Sequence, residues 1–271
     1  TNSGNFYLGD LDEIRYFNRA LDLSQDTHLI DDERWETAKR CLKREFGHAQ
    51  SWEICRNIIL NFEQVYSRKY HSDWTNYLFE SKLEDFYPVQ GEAIVVSTIH
   101  KAKGKEFDNV FLLLTNIESL SDEKKREVYV AITRAKQNLS IHTNGHYLSN
   151  IANGLAEYRI NSNTYPAPQS LCYTLTHRDL WLDFFIDSHC QAAINTLKSG
   201  MSLRLTEKGC TDFSNNEILR FSKKFKDILN ELIQKDYKLE KASVNFVVYW
   251  EKQEDKKEAK IVLPKVVFKK V

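Results

Sequence analysis

Residues 91–143 read GEAIVVSTIHKAKGKEFDNVFLLLTNIESLSDEKKREVYVAITRAKQNLSIHT. Two short apolar runs flank a basic loop in this stretch. Ile94, Val95, Val96 and Ile99 make the first run, and Val110 to Leu114 the second. Neither alternates with polar residues, as expected of strands covered on both faces in a parallel sheet flanked by helices. Ser121 is an N-cap candidate, and SDEKKREVYVAITRAKQNL predicts a helix after it. Val128, Ala131, Ile132 and Ala135 share one face of that helix, while Asp122 and Glu123 complement its dipole. LSIHT supplies the next strand. The order strand, loop, strand, helix, strand predicts part of an α/β domain.

The loop HKAKGKEF between the runs carries the chemistry. Lys101, Lys103 and Lys105 surround Gly104, and Glu106 follows. Main-chain amides, cations and one carboxylate would project from the sheet edge where α/β ligands bind, which suits a phosphorylated ligand. One glycine makes no phosphate-wrapping cradle, and GxxxxGK[ST] is absent from the chain. The residues alone therefore reach an anion site and no further.

Upstream, residues 1–88 read as an α-helical segment. LDEIRYFNRALDL places Leu11, Ile14, Tyr16, Phe17 and Leu21 at spacings of three and four. DDERWETAKRCLKREF opens with an Asp cap and an acidic first turn, and Trp52 to Tyr66 repeats the apolar pattern. The aromatics of this block, Trp35, Trp52, Trp74, Tyr70 and Tyr77, fit a core, with base stacking as the alternative. Pro88 and Gly91 punctuate the chain, and residues 89–150 form the α/β portion.

Downstream, residues 151–175 lose periodicity and are expected as a linker. Residues 176–271 are expected as a helix followed by a small β-barrel-like domain of SH3-like type. THRDLWLDFFIDSHCQAAINTL is the helix, MSLRLTEK a strand, and NEILRFSKKFKDILNELIQK an inserted helix. SVNFVVYWEK and KIVLPKVVFKK form a hairpin joined by QEDKKEA. Lys265, Lys269 and Lys270 either contact phosphates or make a solvated edge that blocks strand pairing.

Composition bounds the whole. At 271 residues, 42% hydrophobic, the chain is large enough to build real cores. Lys plus Arg and Asp plus Glu both number 38, so any nucleic-acid surface has to be local. Five widely spaced cysteines without a CxxC pair encode neither a disulfide framework nor a zinc site, and a cytoplasmic location is expected. No membrane span or signal peptide is legible, and the absence of an initial methionine leads us to expect an upstream portion.

Ser97 to Asp108, STIHKAKGKEFD, closely resembles motif V of the UvrD/Rep-type superfamily 1 DNA helicases, and Tyr129 to Lys136, YVAITRAK, resembles their motif VI. The two stand in family order at a plausible separation, and together they cover about 50 residues. The resemblance implies that residues 89–150 are part of the second RecA-like domain (2A), preceded by a candidate for the 2B-like helical insertion. It implies that Arg134 is the arginine finger that reaches the γ-phosphate, with a surface ion pair as the alternative. Glu106 would accept from the nucleotide ribose, Gly104 would let the backbone come close, Lys103 would brace the interdomain cleft, and Arg126 matches the basic position opening motif VI. Thr98 and His100 sit where the family touches the single-stranded DNA backbone or couples that contact to the nucleotide site. Lys101 is grouped with them, with a solvated lysine as its alternative. Glu127 departs from the apolar residue usual two positions before the motif tyrosine.

On this resemblance the chain is expected to be the C-terminal fragment of an ATP-dependent DNA helicase of the DNA-repair type. ATP and Mg2+ would serve the full-length protein, and single-stranded or partly duplex DNA would be its partner. An absent N-terminal RecA-like domain would complete the site, so the isolated chain is expected to be inactive. The alternative is a non-catalytic nucleic-acid-binding or protein-interaction module with a helicase-derived fold.

Overall fold

Apolar residues at helical spacing build the first part of the chain. In the computed structural model α1 spans Asp12–Leu21 and buries Ile14, Phe17 and Leu21. A two-residue strand β1, Leu29–Ile30, leads into α2, Asp32–Phe46, whose first turn is closed by the Asp31 carboxylate accepting from the Arg34 amide at 2.8 Å. Helix α3 is Trp52–Val65, β2 is Lys69–Tyr70 and α4 is His71–Glu80. Trp35 and Trp74 are fully buried, their rings edge-on at 5.3 Å, and Phe17 and Phe62 pack against both. Those two tryptophans are core residues and are not available to bases. The structure describes residues 6–23, 28–87, 94, 96–99, 102, 105–114, 121–144, 162–187, 189–254 and 256–271.

Residues 89–165 form one compact unit, and residues 1–88 with 166–271 form the other. In the first of these, β3 (Phe107–Leu114) and β4 (Ala135–Thr143) run parallel, in register from Val110 opposite Leu139 to Leu114 opposite Thr143. Helix α5, Asp122–Ile132, connects them, and its first turn is capped by the Ser121 hydroxyl accepting from the Lys124 amide at 3.2 Å. Leu112, Leu114, Val128 and Ala131 make its small core, with Ile99, Ile132 and Ile141 against it.

Three expectations for this unit are corrected. The run 94–99 is not a strand among its described residues, and Ile94 and Val96 are 91% and 92% exposed. Among the described residues the sheet is covered on one face: Leu112 and Leu114 are buried, whereas Phe111 and Leu113 alternate outward at 71% exposure each. The helix also ends earlier than its periodicity implied. Ala135 opens β4 instead of extending the helical face.

The second unit continues with β5, Ser170–Thr174, lying where a linker was expected. The expected single helix over 176–197 is broken into a 3-10 turn at His177–Asp179, α6 at Asp183–Asp187 and α7 at Gln191–Ile194. Specific bonds interrupt it. The Asp179 carboxylate caps Thr176 at both its amide and its hydroxyl, Leu180 bridges Phe221, and the Trp181 amide donates to the Arg220 carbonyl at 2.9 Å. Strands β6 (Ser202–Leu205), β7 (Gly209–Thr211) and β8 (Glu217–Arg220) follow, then α8, Lys223–Gln234. The inserted helix is thus shorter than expected, because its first residues pair as β8. The long hairpin β9 (Tyr237–Glu251) and β10 (Glu258–Lys270) closes the chain.

These strands form an antiparallel sheet in the order β5-β10-β9-β6-β7-β8. Pro264, which has no amide to donate, sits at a register shift in β10, where a proline is tolerated. Lys265 and Lys269 do not lie on an edge, since β5 pairs with β10 on its other side. The expected barrel-like domain also lacks a core of its own. Leu11 bridges Val248, the Phe6 and Phe246 rings meet at 5.7 Å, and one continuous core joins the N-terminal helices to the C-terminal sheet. The fold class that stands is mixed α/β.

Candidate functional site

The turn between α5 and β4 positions the candidate arginine. The Thr133 hydroxyl donates to the Val130 carbonyl at 2.9 Å, the Arg134 amide to Ala131 at 3.2 Å, and the Phe107 amide to the Arg134 carbonyl at 2.9 Å. The last bond starts the parallel pairing and draws Arg134 off the helix, so the residue belongs to a turn at the N-terminal end of β4. Its guanidinium is held there by neutral acceptors: Nε donates to Val130 O at 2.9 Å, Nη1 to Lys105 O at 3.4 Å and Nη2 to Thr133 Oγ1 at 3.1 Å. No carboxylate among the described residues pairs with it.

Glu106 enters the same neighbourhood from the loop side. It lies between Lys105, whose carbonyl receives Arg134, and Phe107, whose amide binds the Arg134 carbonyl. Lys136 Nζ stands 3.7 Å from Glu106 Oε2, with both side chains more than half exposed. A pair this exposed and this long contributes about 0–1 kcal/mol. Glu106 is therefore weakly tethered and can reorient.

Thr98 is exposed, and its carbonyl accepts from the Ala102 amide at 3.1 Å. Arg126 is exposed on α5. Glu127, the departure from the motif pattern, pairs with Lys124 at 2.6 Å on the helix surface, which is how a charge is accommodated there. His100, Lys101, Lys103 and Gly104 lie outside the described residues. The structure thus brings Arg134, Glu106 and the end of the basic loop together. Lys136 and Thr133, which flank Arg134 in sequence, were not singled out by the sequence reading. The alternation of a strand starting at Ala135 would have pointed Lys136 to the face of Glu106.

Among the described residues no group of three His, Cys, Asp or Glu side chains converges to hold a metal ion. No described helix is long and apolar enough to cross a membrane.

Comparison with known proteins bears on this arrangement. Residues 55–146 match the UvrD-like helicase C-terminal domain family. The matched segment takes in the whole of the stretch from Gly91 to Thr143 and reaches back into α3, about twice the span of the two motifs. The chain is also similar to a probable DNA helicase II homolog of Rickettsia conorii, 30% identical over 141 residues. That similarity covers 47% of this chain and 20% of the relative, so the chain spans about a fifth of the protein it matches. No solved structure matches the chain.

Proposed function

We propose, starting from the UvrD/Rep-type helicase C-terminal region that this chain carries, that residues 89–150 are the 2A-like half of an ATP site in a DNA translocase. The other half would be an N-terminal RecA-like lobe. The observation that carries the reading is the state of Arg134: a permanently charged, planar guanidinium held, among the described residues, by carbonyl and hydroxyl oxygens. Such contacts orient the group without neutralising it. Its charge stays available to an anion that offers two oxygens in one plane.

ATP, when bound, would supply the phosphoanhydride whose hydrolysis drives movement. Arg134 would leave its carbonyl acceptors, reach the terminal phosphoryl group and stabilise the charge spread over its oxygens, a role worth about 10³–10⁵ in rate where an arginine finger acts. Glu106 would exchange the weak Lys136 contact for a ribose hydroxyl. Gly104 would permit close backbone approach, while Lys103 and Arg126 would add positive charge to the cleft. Thr98, His100 and Lys101 would contact the single strand beside the same loop, so that movement of Lys105 and Glu106 is felt at the DNA. Among the described residues no carboxylates converge to hold Mg2+.

The test is Arg134→Ala in the longer protein that contains this chain. ATP hydrolysis should fall by at least about 10³-fold while single-strand affinity and thermal unfolding stay as in the parent. Unchanged hydrolysis would sink the reading and favour a non-catalytic module of helicase descent.

A further inference from the structure

The unit formed by residues 1–88 and 166–271 carries a cavity of about 550 Å³ remote in sequence from the motif stretch, lined by the buried Leu180 and Phe221 and by Trp181 and Leu182. Ser222, Lys223 and Lys226 complete its rim. Three features distinguish it from an ordinary surface dent.

The first is Trp181, 47% exposed although its neighbours on either side turn inward. A tryptophan left half in water forgoes much of the stabilisation its burial would bring. Its ring is nevertheless held in place. The Arg220 guanidinium lies over it, 5.4 Å from the centroid, and is itself clamped by two 2.7 Å bonds to Glu217. Trp181 lines the cavity and Arg220 does not.

The second is charge. Lys223 and Lys226 are exposed and form no ion pair among the described residues, and Lys224 extends the cluster in the same condition. Asp227, the next acid along the helix, is exposed and pairs with none of them. The third is position: the lysines occupy the opening of α8, where no acidic residue stands and the helix dipole disfavours cations. Ser222 already caps the Phe225 amide, so the lysine side chains, and not the backbone, are what the site offers.

We infer that this cavity binds single-stranded nucleic acid, one base lying on Trp181 and the adjoining phosphates on Lys223 and Lys226. The cations are lysines, point charges that satisfy phosphate without the bidentate geometry that selects a carboxylate. A preformed aromatic wall beside such charges is the combination that reads a base and its backbone with little sequence preference. The site goes beyond the ATP-coupled reading and does not depend on it, since it lies in the other unit and uses none of residues 89–165.

The experiment titrates the full chain into a fluorescein-labelled oligothymidine, followed by anisotropy at several salt concentrations. Lys223→Gln/Lys226→Gln should flatten the slope of log affinity against log salt by about 1.4, two phosphates at about 0.7 each. Trp181→Ala should weaken binding at least about 5-fold with the slope unchanged, and Trp181→Phe should keep most of the affinity. The lysines are exposed, so their variant carries the test even if Trp181→Ala is poorly folded. Thr98→Ala, which alters the coupling loop, should leave the Trp181 and lysine effects in place. Absence of binding by the parent chain overturns the site, as does an unchanged salt slope in the lysine variant. Polyglutamate displacing the strand as readily as unlabelled oligothymidine would make it a peptide site. Thymidine monophosphate doing so at equal nucleotide concentration would make it a mononucleotide site. Either result overturns the inference.

Discussion

Lys260 Nζ lies 2.8 Å from Asp12 Oδ1, both side chains almost wholly buried, so the first turn of α1 and the start of β10 meet as an ion pair across most of the chain. The contact is not angled as a hydrogen bond, and its attraction has to offset the desolvation of two charges. Removing one partner leaves the other buried and uncompensated, which typically costs 3–5 kcal/mol. Lys260→Met should therefore destabilise the unit formed by residues 1–88 and 166–271 by about 3 kcal/mol in chemical denaturation, and Asp12→Leu/Lys260→Met should recover most of that loss. Equal instability of the single and double variants would show that packing, not charge, dominates there.

Glu13 beside it gives a pH signature. Burial pushes its carboxyl above the usual 4.5; the Ser51 hydroxyl and the residue's own backbone hydrogen bond draw it partly back, nearby Asp12 raises it and Lys198 lowers it. Oε2 has no hydrogen-bond partner. A folded-state value above the unfolded one means the native protein holds the proton more tightly. This contribution to stability is complete below pH 4.5 and is lost as pH rises through the folded value. Glu13→Gln should gain on the parent as pH is raised over that window, measured by urea denaturation at successive pH values. A difference independent of pH would mean that Glu13 is not the titrating group.

Glu106→Ala should weaken nucleotide affinity in the longer protein while leaving the melting temperature nearly unchanged, because its pairing with Lys136 contributes about 0–1 kcal/mol. Titration of a fluorescent nucleotide analogue checks this. An unchanged dissociation constant would remove the ribose role.

Gly209 marks a close approach in the sheet. A Cβ placed there would stand 1.9 Å from the Leu219 carbonyl oxygen on the neighbouring strand. Backbone cannot yield as a side-chain tip can, so Gly209→Ala should part β7 from β8 and cost more than about 2 kcal/mol. Amide exchange across residues 209–220 should accelerate, and unaltered protection would contradict the close packing.

Helices α1 to α3 were legible because each carries its own repeat of apolar residues and, in α2, a cap that local chemistry specifies. The β9–β10 hairpin was legible for the same reason, its strands being long and bounded by a polar turn. What sequence did not reveal depends on bonds between distant residues. Trp181 sits in an apolar run that looks helical until the Arg220 carbonyl claims its amide. The candidate arginine was recognisable from TRAK, yet its place in a turn depends on Phe107, which lies in the other motif, more than twenty residues upstream. The joining of the N-terminal helices to the C-terminal sheet left no local trace at all. Phe6 and Phe246 read as two unrelated apolar positions until the core is assembled.

That shared core has a consequence for the order in which the protein can fold. The ribosome delivers α1 to α4 first, but α1 lacks the strand it packs against, and the shared core lacks the hairpin that completes it, until β9 and β10 have emerged. At about 5–20 residues per second, synthesis of residues 89–270 leaves this core waiting roughly 9 to 36 s. During that interval the growing chain displays sticky, half-finished surface, so the nascent polypeptide should depend on chaperone protection that the finished molecule no longer requires.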